Sequence, residues 1–98
     1  MTESALLCQI REYLERCRIM YERNNVGIKG YVRFGSKGMP DLMCMLPGGR
    51  MLWIETKTED GRLSKDQQEY ICRLRSLGHR VIVARDVRDV EEALEVMV

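Results

Sequence analysis

Two apolar runs flank the tetrapeptide Pro47-Gly48-Gly49-Arg50, and no other feature constrains the fold of this chain as much. Asp41 to Leu46 precedes the tetrapeptide and Met51 to Lys57 follows it. A tight turn between two β-prone runs predicts an antiparallel hairpin. If Leu46 pairs with Met51, Asp41 lies opposite Thr56, next to Glu55 and Lys57. A one-residue bulge would bring Asp41 opposite Glu55 instead. Side chains alternate along a strand, so Glu55 and Lys57 share a face. Thr56 points the other way and leaves its carbonyl at the edge of the cluster. In either register two carboxylates and a lysine meet at one place.

The rest of the chain reads as elements that cover this hairpin. Thr2 is an N-cap candidate for a first helix. Leu7, Ile10, Leu14, Cys17 and Tyr21 form its apolar stripe at steps of three and four, and the helix is expected to end near Asn24-Asn25. Tyr31 to Phe34 reads as a short strand, broken by Gly35-Ser36-Lys37-Gly38. After the loop Glu59-Asp60-Gly61-Arg62, Ser64 opens a second helix with Tyr70, Ile71, Leu74 and Leu77 on one face. Gly78 stops it as a C′ residue. Val81 to Ala84 reads as a buried strand, able to lie parallel to an earlier one. Asp86 or Asp89 caps a last helix carrying Val90, Ala93, Leu94 and Met97. The order α-β-β-β-α-β-α describes a small α/β domain with a mixed sheet, and residues 1–98 are read as a single domain.

Composition bounds the function. The chain has 98 residues, 45% of them hydrophobic, enough for one core and too many for an intrinsically disordered segment. Sixteen Lys and Arg stand against 15 Asp and Glu, for a net charge of +1. That balance argues against a simple polybasic coat for nucleic acid. No apolar run reaches the roughly 18–20 residues of a membrane span, and Met1-Thr2-Glu3-Ser4 lacks the basic start of a signal peptide. The expected compartment is the cytoplasm. Cys8, Cys17, Cys44 and Cys72 follow no metal or disulfide spacing, and they are read as reduced thiols, mostly core hydrophobes. With His79 the sole histidine, a Cys/His zinc site is not expected.

The Asp41, Glu55 and Lys57 cluster carries the chemistry. Adjacent carboxylates repel unless one is protonated or a cation sits between them. Their oxygens suit Mg²⁺ or Mn²⁺, which polarises a phosphodiester and acidifies a bound water. Lys57 could hold that water or stabilise charge on the phosphate. Taken alone, an E-x-K is more often a surface ion pair. Glu3 extends the first helix's apolar stripe towards its N-terminus, whereas Glu12, about 140° away from Leu7, should face water. Glu3 is either a third ligand or a first-turn acid favoured by the helix dipole. Gln67 completes the capping box Ser64-Lys65-Asp66-Gln67, or else its amide serves the site; one conformation is expected to allow only one of these. Trp53 shares the Glu55 face and is expected to pack under the first helix. His79 is expected to be an exposed turn residue.

Several motifs then match in order. Arg33-Phe-Gly-Ser-Lys-Gly-Met-Pro-Asp41-Leu42 resembles the R-x-G-x-x-G-x-P-D-L segment of the virus-type replication-repair nuclease (VRR-NUC) domain. Pro47 to Lys57 resembles its hairpin with E-x-K. Gly61-Arg-Leu-Ser64-Lys-Asp-Gln67 resembles its G-x-L-S-x-x-Q helix start. Leu77-Gly78 and Val81-Ile82-Val83 continue the pattern, and Glu3 sits where that family carries an acid on its first helix. The resemblance spans nearly the whole chain. It implies the restriction-endonuclease-like αβββαβ core of the PD-(D/E)XK superfamily, here with a short C-terminal helix. It also implies Mg²⁺- or Mn²⁺-dependent phosphodiester hydrolysis. Asp41 and Glu55 would bind metal with help from Glu3 and the Thr56 carbonyl; Lys57 would position or activate water, with Gln67 assisting. Standalone members of this length resemble Holliday junction resolvases, act as homodimers on branched DNA, and are phage- or virus-encoded, working in the bacterial host. Flap or single-strand cleavage, or an inactive DNA-binding module, are the alternatives.

The charge balance also divides along the chain. Residues 86–98 hold one basic and five acidic side chains, leaving the preceding body basic by 15 to 10. A basic active-site face carrying Arg33, Lys37 and Arg62 is expected, with the acidic last helix turned away from the phosphates.

Overall fold

The computed structural model describes residues 1–24, 27–29, 32–34 and 36–97, with 27–29 and 32–34 described in backbone only. Helix α1 (Glu3–Arg16) begins where expected, with the Thr2 hydroxyl accepting from the Ala5 N–H at 3.1 Å. It ends earlier than its periodicity suggests. Arg18 adopts φ +56°, its N–H donates to Glu15 and the Ile19 N–H reaches back to the Leu14 carbonyl at 2.9 Å. This is the Schellman closure, with arginine where glycine is usual, so the sequence carries no stop signal there. The chain then enters strand β1 (Met20–Arg23), and Tyr21 folds its hydroxyl back onto Glu15 of α1 at 2.6 Å. Tyr21 matched the helical stripe because it does pack against that core, from a strand.

The first strand of the main sheet is therefore β1 and not Tyr31 to Phe34. Strand β3 (Val32–Phe34) pairs instead with β2 (Gly27–Lys29) in a separate two-stranded sheet; Tyr31 lies outside the described residues. The main sheet has the order β1-β4-β5-β6, built with β4 (Leu42–Leu46), β5 (Arg50–Thr56) and β6 (Arg80–Ala84). β1, β4 and β5 are antiparallel neighbours, and β6 lies parallel to β5 as expected. The hairpin pairs Leu46 with Arg50, not Met51. Its connection is the three residues Pro47–Gly49, with φ of 79° and 74° at the two glycines, so Arg50 already belongs to β5. Every pairing moves by one residue relative to the four-residue turn.

Two apolar layers sandwich the sheet. Leu6, Ile10 and Leu14 of α1 pack on Leu42, Cys44, Leu52 and Ile54, together with Val90 and Leu94 of helix α3 (Val87–Met97). The other layer joins Trp53 and Val81 to Ile71 and Leu74 of helix α2 (Lys65–Ser76). Trp53 thus packs under α2 and not under α1, because odd-numbered β5 side chains face α2. Leu77, expected on the buried face of α2, is 72% exposed since it is the helix C-cap. Gly78 makes the expected stop at φ +89°, and both aspartates cap α3: Asp86 accepts from the Arg88 N–H and Asp89 from that of Asp86. Only Cys44 of the four cysteines is buried, where desolvation pushes its thiol up to about 12. The other three sit on outer helix faces or at a helix end, which corrects the expectation of mostly core thiols. His79 is exposed, with its ring edge-on to Trp53.

Candidate active site

The N-termini of α1 and α2, the end of β1, the start of β4 and the end of β5 converge at one end of the sheet. Asp41 stands one residue before β4, and continuing the β4–β5 register by one puts it across from Glu55. Its Oδ2 accepts from the Thr56 N–H at 2.8 Å and from the Thr56 hydroxyl at 2.6 Å. Alternation predicted that the Thr56 side chain would point away; Asp41 lies beyond the strand's end and reaches it. Asn24 holds the backbone here. Its N–H donates to the Asp41 carbonyl at 2.8 Å and its side-chain amide to the Pro40 carbonyl at 2.9 Å.

Glu55 is 2% exposed. Burial first, then the negative charge of Asp41, push its carboxyl up to about 8, against a smaller opposing pull from Lys57. Oε1 accepts from the Gln67 side-chain amide at 3.2 Å, whereas the buried Oε2 has no partner among the described residues. A buried oxygen left open beside a second carboxylate is an environment that a cation relieves. Hard oxygen donors of this kind fit Mg²⁺ or Mn²⁺. Among the described residues, no three of the His, Cys, Asp and Glu side chains form a group that could hold an ion. Asp41 and Glu55 come together, while the exposed Glu3 joins the site through Lys57, its Oε1 lying 3.8 Å from Nζ. Lys57 is itself buried, and Arg85 braces the loop that follows it by donating to the carbonyls of Thr58 and Gly61 at 2.6 and 2.7 Å.

Gln67 resolves the expected conflict between its two roles. Oε1 accepts from the Ser64 N–H at 2.9 Å, completing the capping box, while Nε2 donates to Glu55. An amide has an acceptor end and a donor end, so one conformation serves both.

Facing these groups is a cleft of about 570 Å³, lined by Arg23, Lys37, Asp41, Glu55, Asp66 and Gln67 among others; no α3 residue lines it. Lys37 pairs with Asp66 at 3.1 Å, and Arg62 is exposed. The Arg33 side chain lies outside the described residues. Gly38 docks the Lys37 loop on α2. A Cβ there would stand 2.3 Å from the Asp66 carbonyl oxygen, at φ +87°. Gly38→Ala is expected to cost about 2–3 kcal/mol of stability, seen as a lowered denaturant midpoint. An unchanged midpoint would mean that the loop does not dock. Arg23 and Asn24 are site residues that periodicity missed, because the glycine-free helix stop left them on an imagined helix end.

The αβββαβ core and a paired-carboxylate and lysine centre at the sheet end define a restriction-endonuclease-like nuclease domain. A solved structure described as a VRR_NUC domain shares the fold with a TM-score of 0.73 at 23% identity, over 97% of each chain. Protein p44 of Acyrthosiphon pisum secondary endosymbiont phage 1, which bears a nuclease's name, is 34% identical over 64 residues, 65% of this chain and 68% of its own length. Residues 3–88 match the VRR-NUC domain, and the chain belongs to that family of nucleases.

Proposed function

We propose that this chain is a divalent-metal-dependent DNA endonuclease acting on branched or structured DNA, in the manner of a Holliday junction resolvase. The observation that carries the metal dependence is the buried, unpartnered Oε2 of Glu55 beside Asp41. Asp41 and Glu55 would hold Mg²⁺ or Mn²⁺, with the Thr56 carbonyl and Glu3 supporting. When bound, the ion supplies Lewis acidity towards the phosphodiester and a more acidic water. Lys57, two residues beyond Glu55 and paired with Glu3, orients the attacking water and offsets charge on the phosphate. Gln67 keeps the Glu55 carboxylate aimed, since its own amide is fixed by the helix cap. Arg33, Lys37 and Arg62 would meet the DNA backbone. A single domain this small offers one centre, so cutting both strands of a junction calls for a homodimer. The relative that bears a nuclease's name comes from a phage, which supports nuclease action inside a bacterial host.

The test is a panel of labelled four-way junction, flap, single-strand and duplex DNA with Mg²⁺, Mn²⁺ or chelator. Preferential metal-dependent cutting of the junction supports the reading. Preference for flap or single strand would reassign the substrate, and binding without cleavage would make the domain an inactive module. Lys57→Met is expected to lower kcat about a hundredfold or more with DNA binding retained. Undiminished turnover would remove Lys57 from the chemistry.

A further inference from the structure

We propose that Arg23 is a substrate-binding residue that grips a DNA backbone phosphate next to the scissile one; this rests on the nuclease reading above. Arg23 ends the edge strand β1 and lines the same cleft as Asp41 and Glu55. Among the described residues, the acids lining this cleft, Asp41, Glu55 and Asp66, outnumber the lining cations Arg23 and Lys37. An anionic strand entering it therefore needs a positive wall. Lys37 is already engaged by Asp66 at 3.1 Å, whereas Arg23 makes no ion pair among the described residues. Arg23 is exposed, and its guanidinium is a planar fork suited to two phosphate oxygens.

The position of Arg23 is also tied to the reacting centre. β1 holds it in register opposite Leu42, the residue after Asp41. The next residue, Asn24, bonds the carbonyls of both Pro40 and Asp41. The backbone at Arg23 is thus tied to the backbone that carries the Asp41 carboxylate. A phosphate held by Arg23 sets the strand's position relative to the carboxylate pair, which is what orienting a scissile bond requires. Such a contact acts on ground state and transition state alike, so it belongs to KM more than to kcat.

The experiment measures binding of a labelled four-way DNA junction by fluorescence anisotropy across a salt series. The proteins carry Asp41→Asn to prevent cleavage, with or without Arg23→Ala or Arg23→Lys, all in chelator. On B-form arms each neutralised phosphate contributes about 0.9 to the slope of log affinity against log salt. Arg23→Ala is expected to lower that slope by about 0.9 and to weaken binding about tenfold, while Arg23→Lys keeps the slope and loses less affinity. With Asp41 intact and metal present, Arg23→Ala should raise KM about tenfold with kcat little changed. An unchanged slope in the alanine variant, or a fall in kcat with KM intact, overturns the proposal and leaves the nuclease reading standing. If the Asp41→Asn protein binds no DNA at all, both fall together.

Discussion

Asp41→Asn should abolish metal-dependent cleavage, by about a thousandfold or more, about 4 kcal/mol of transition-state stabilisation, and leave the fold unchanged. The asparagine keeps one carbonyl oxygen to accept from the Thr56 N–H and hydroxyl, the two bonds that Oδ2 accepts now. What it removes is the negative charge with which the pair would hold a cation. Cleavage assays with Mg²⁺ and Mn²⁺, alongside thermal melts, separate the two effects. Asp41→Ala serves as the contrast. It removes the acceptor as well and leaves a part-buried N–H unpaired, so its melting point should fall by the equivalent of about 1–3 kcal/mol. Full activity in the asparagine variant would place the chemistry elsewhere.

Glu55→Gln should also lose cleavage, yet be more stable than the parent at alkaline pH in chelator. The sign follows from the raised carboxyl. Glu55 binds its proton up to about pH 8 in the folded chain, whereas the ordinary value is 4.5. Between those limits the folded state holds more protons than the unfolded one, so stability falls as pH rises through the window. Below about 4.5 both states are protonated and there is no penalty. Above about 8 the penalty is complete, on the order of 3–5 kcal/mol. Glutamine is neutral and isosteric, can still accept from Gln67, and carries no such dependence. Denaturant melts from pH 4 to 9 should show the parent losing this increment relative to the variant. Adding Mg²⁺ at pH 8 should restore stability to the parent only. Parallel pH profiles would mean that the Glu55 charge is compensated within the fold.

The cost carried by Glu55 bears on why parts of this site were readable before the fold was known. The E-x-K spacing, the Pro-Asp pair and the turn between them are local, and local geometry was enough to predict that Asp41 comes beside Glu55, with Lys57 near enough to pull on the Glu55 carboxyl. The Gly78 stop and the aspartate caps of α3 were readable for the same reason, since each has a residue whose conformation or hydrogen bonding demands it. The stop of α1 was hidden because Arg18 takes a left-handed conformation that the sequence does not advertise. From that single turn followed the misplaced first strand and the invisibility of Arg23 and Asn24.

By itself, then, the amino-acid sequence determined the mixed α/β class, the helix α2 with its capping box, the parallel return of β6 and the acidic and basic groups of the site. These depend on periodicity and on neighbours a few residues apart. Tertiary structure alone decided that Met20–Arg23 fills the sheet edge, that Trp53 packs under α2, and that Leu46 pairs with Arg50. It also joined Gln67 to Glu55 while leaving the cap intact. Each of these depends on partners far along the chain or on turns whose backbone angles settle the register by a single residue. In a β-sheet one residue separates one face from the other.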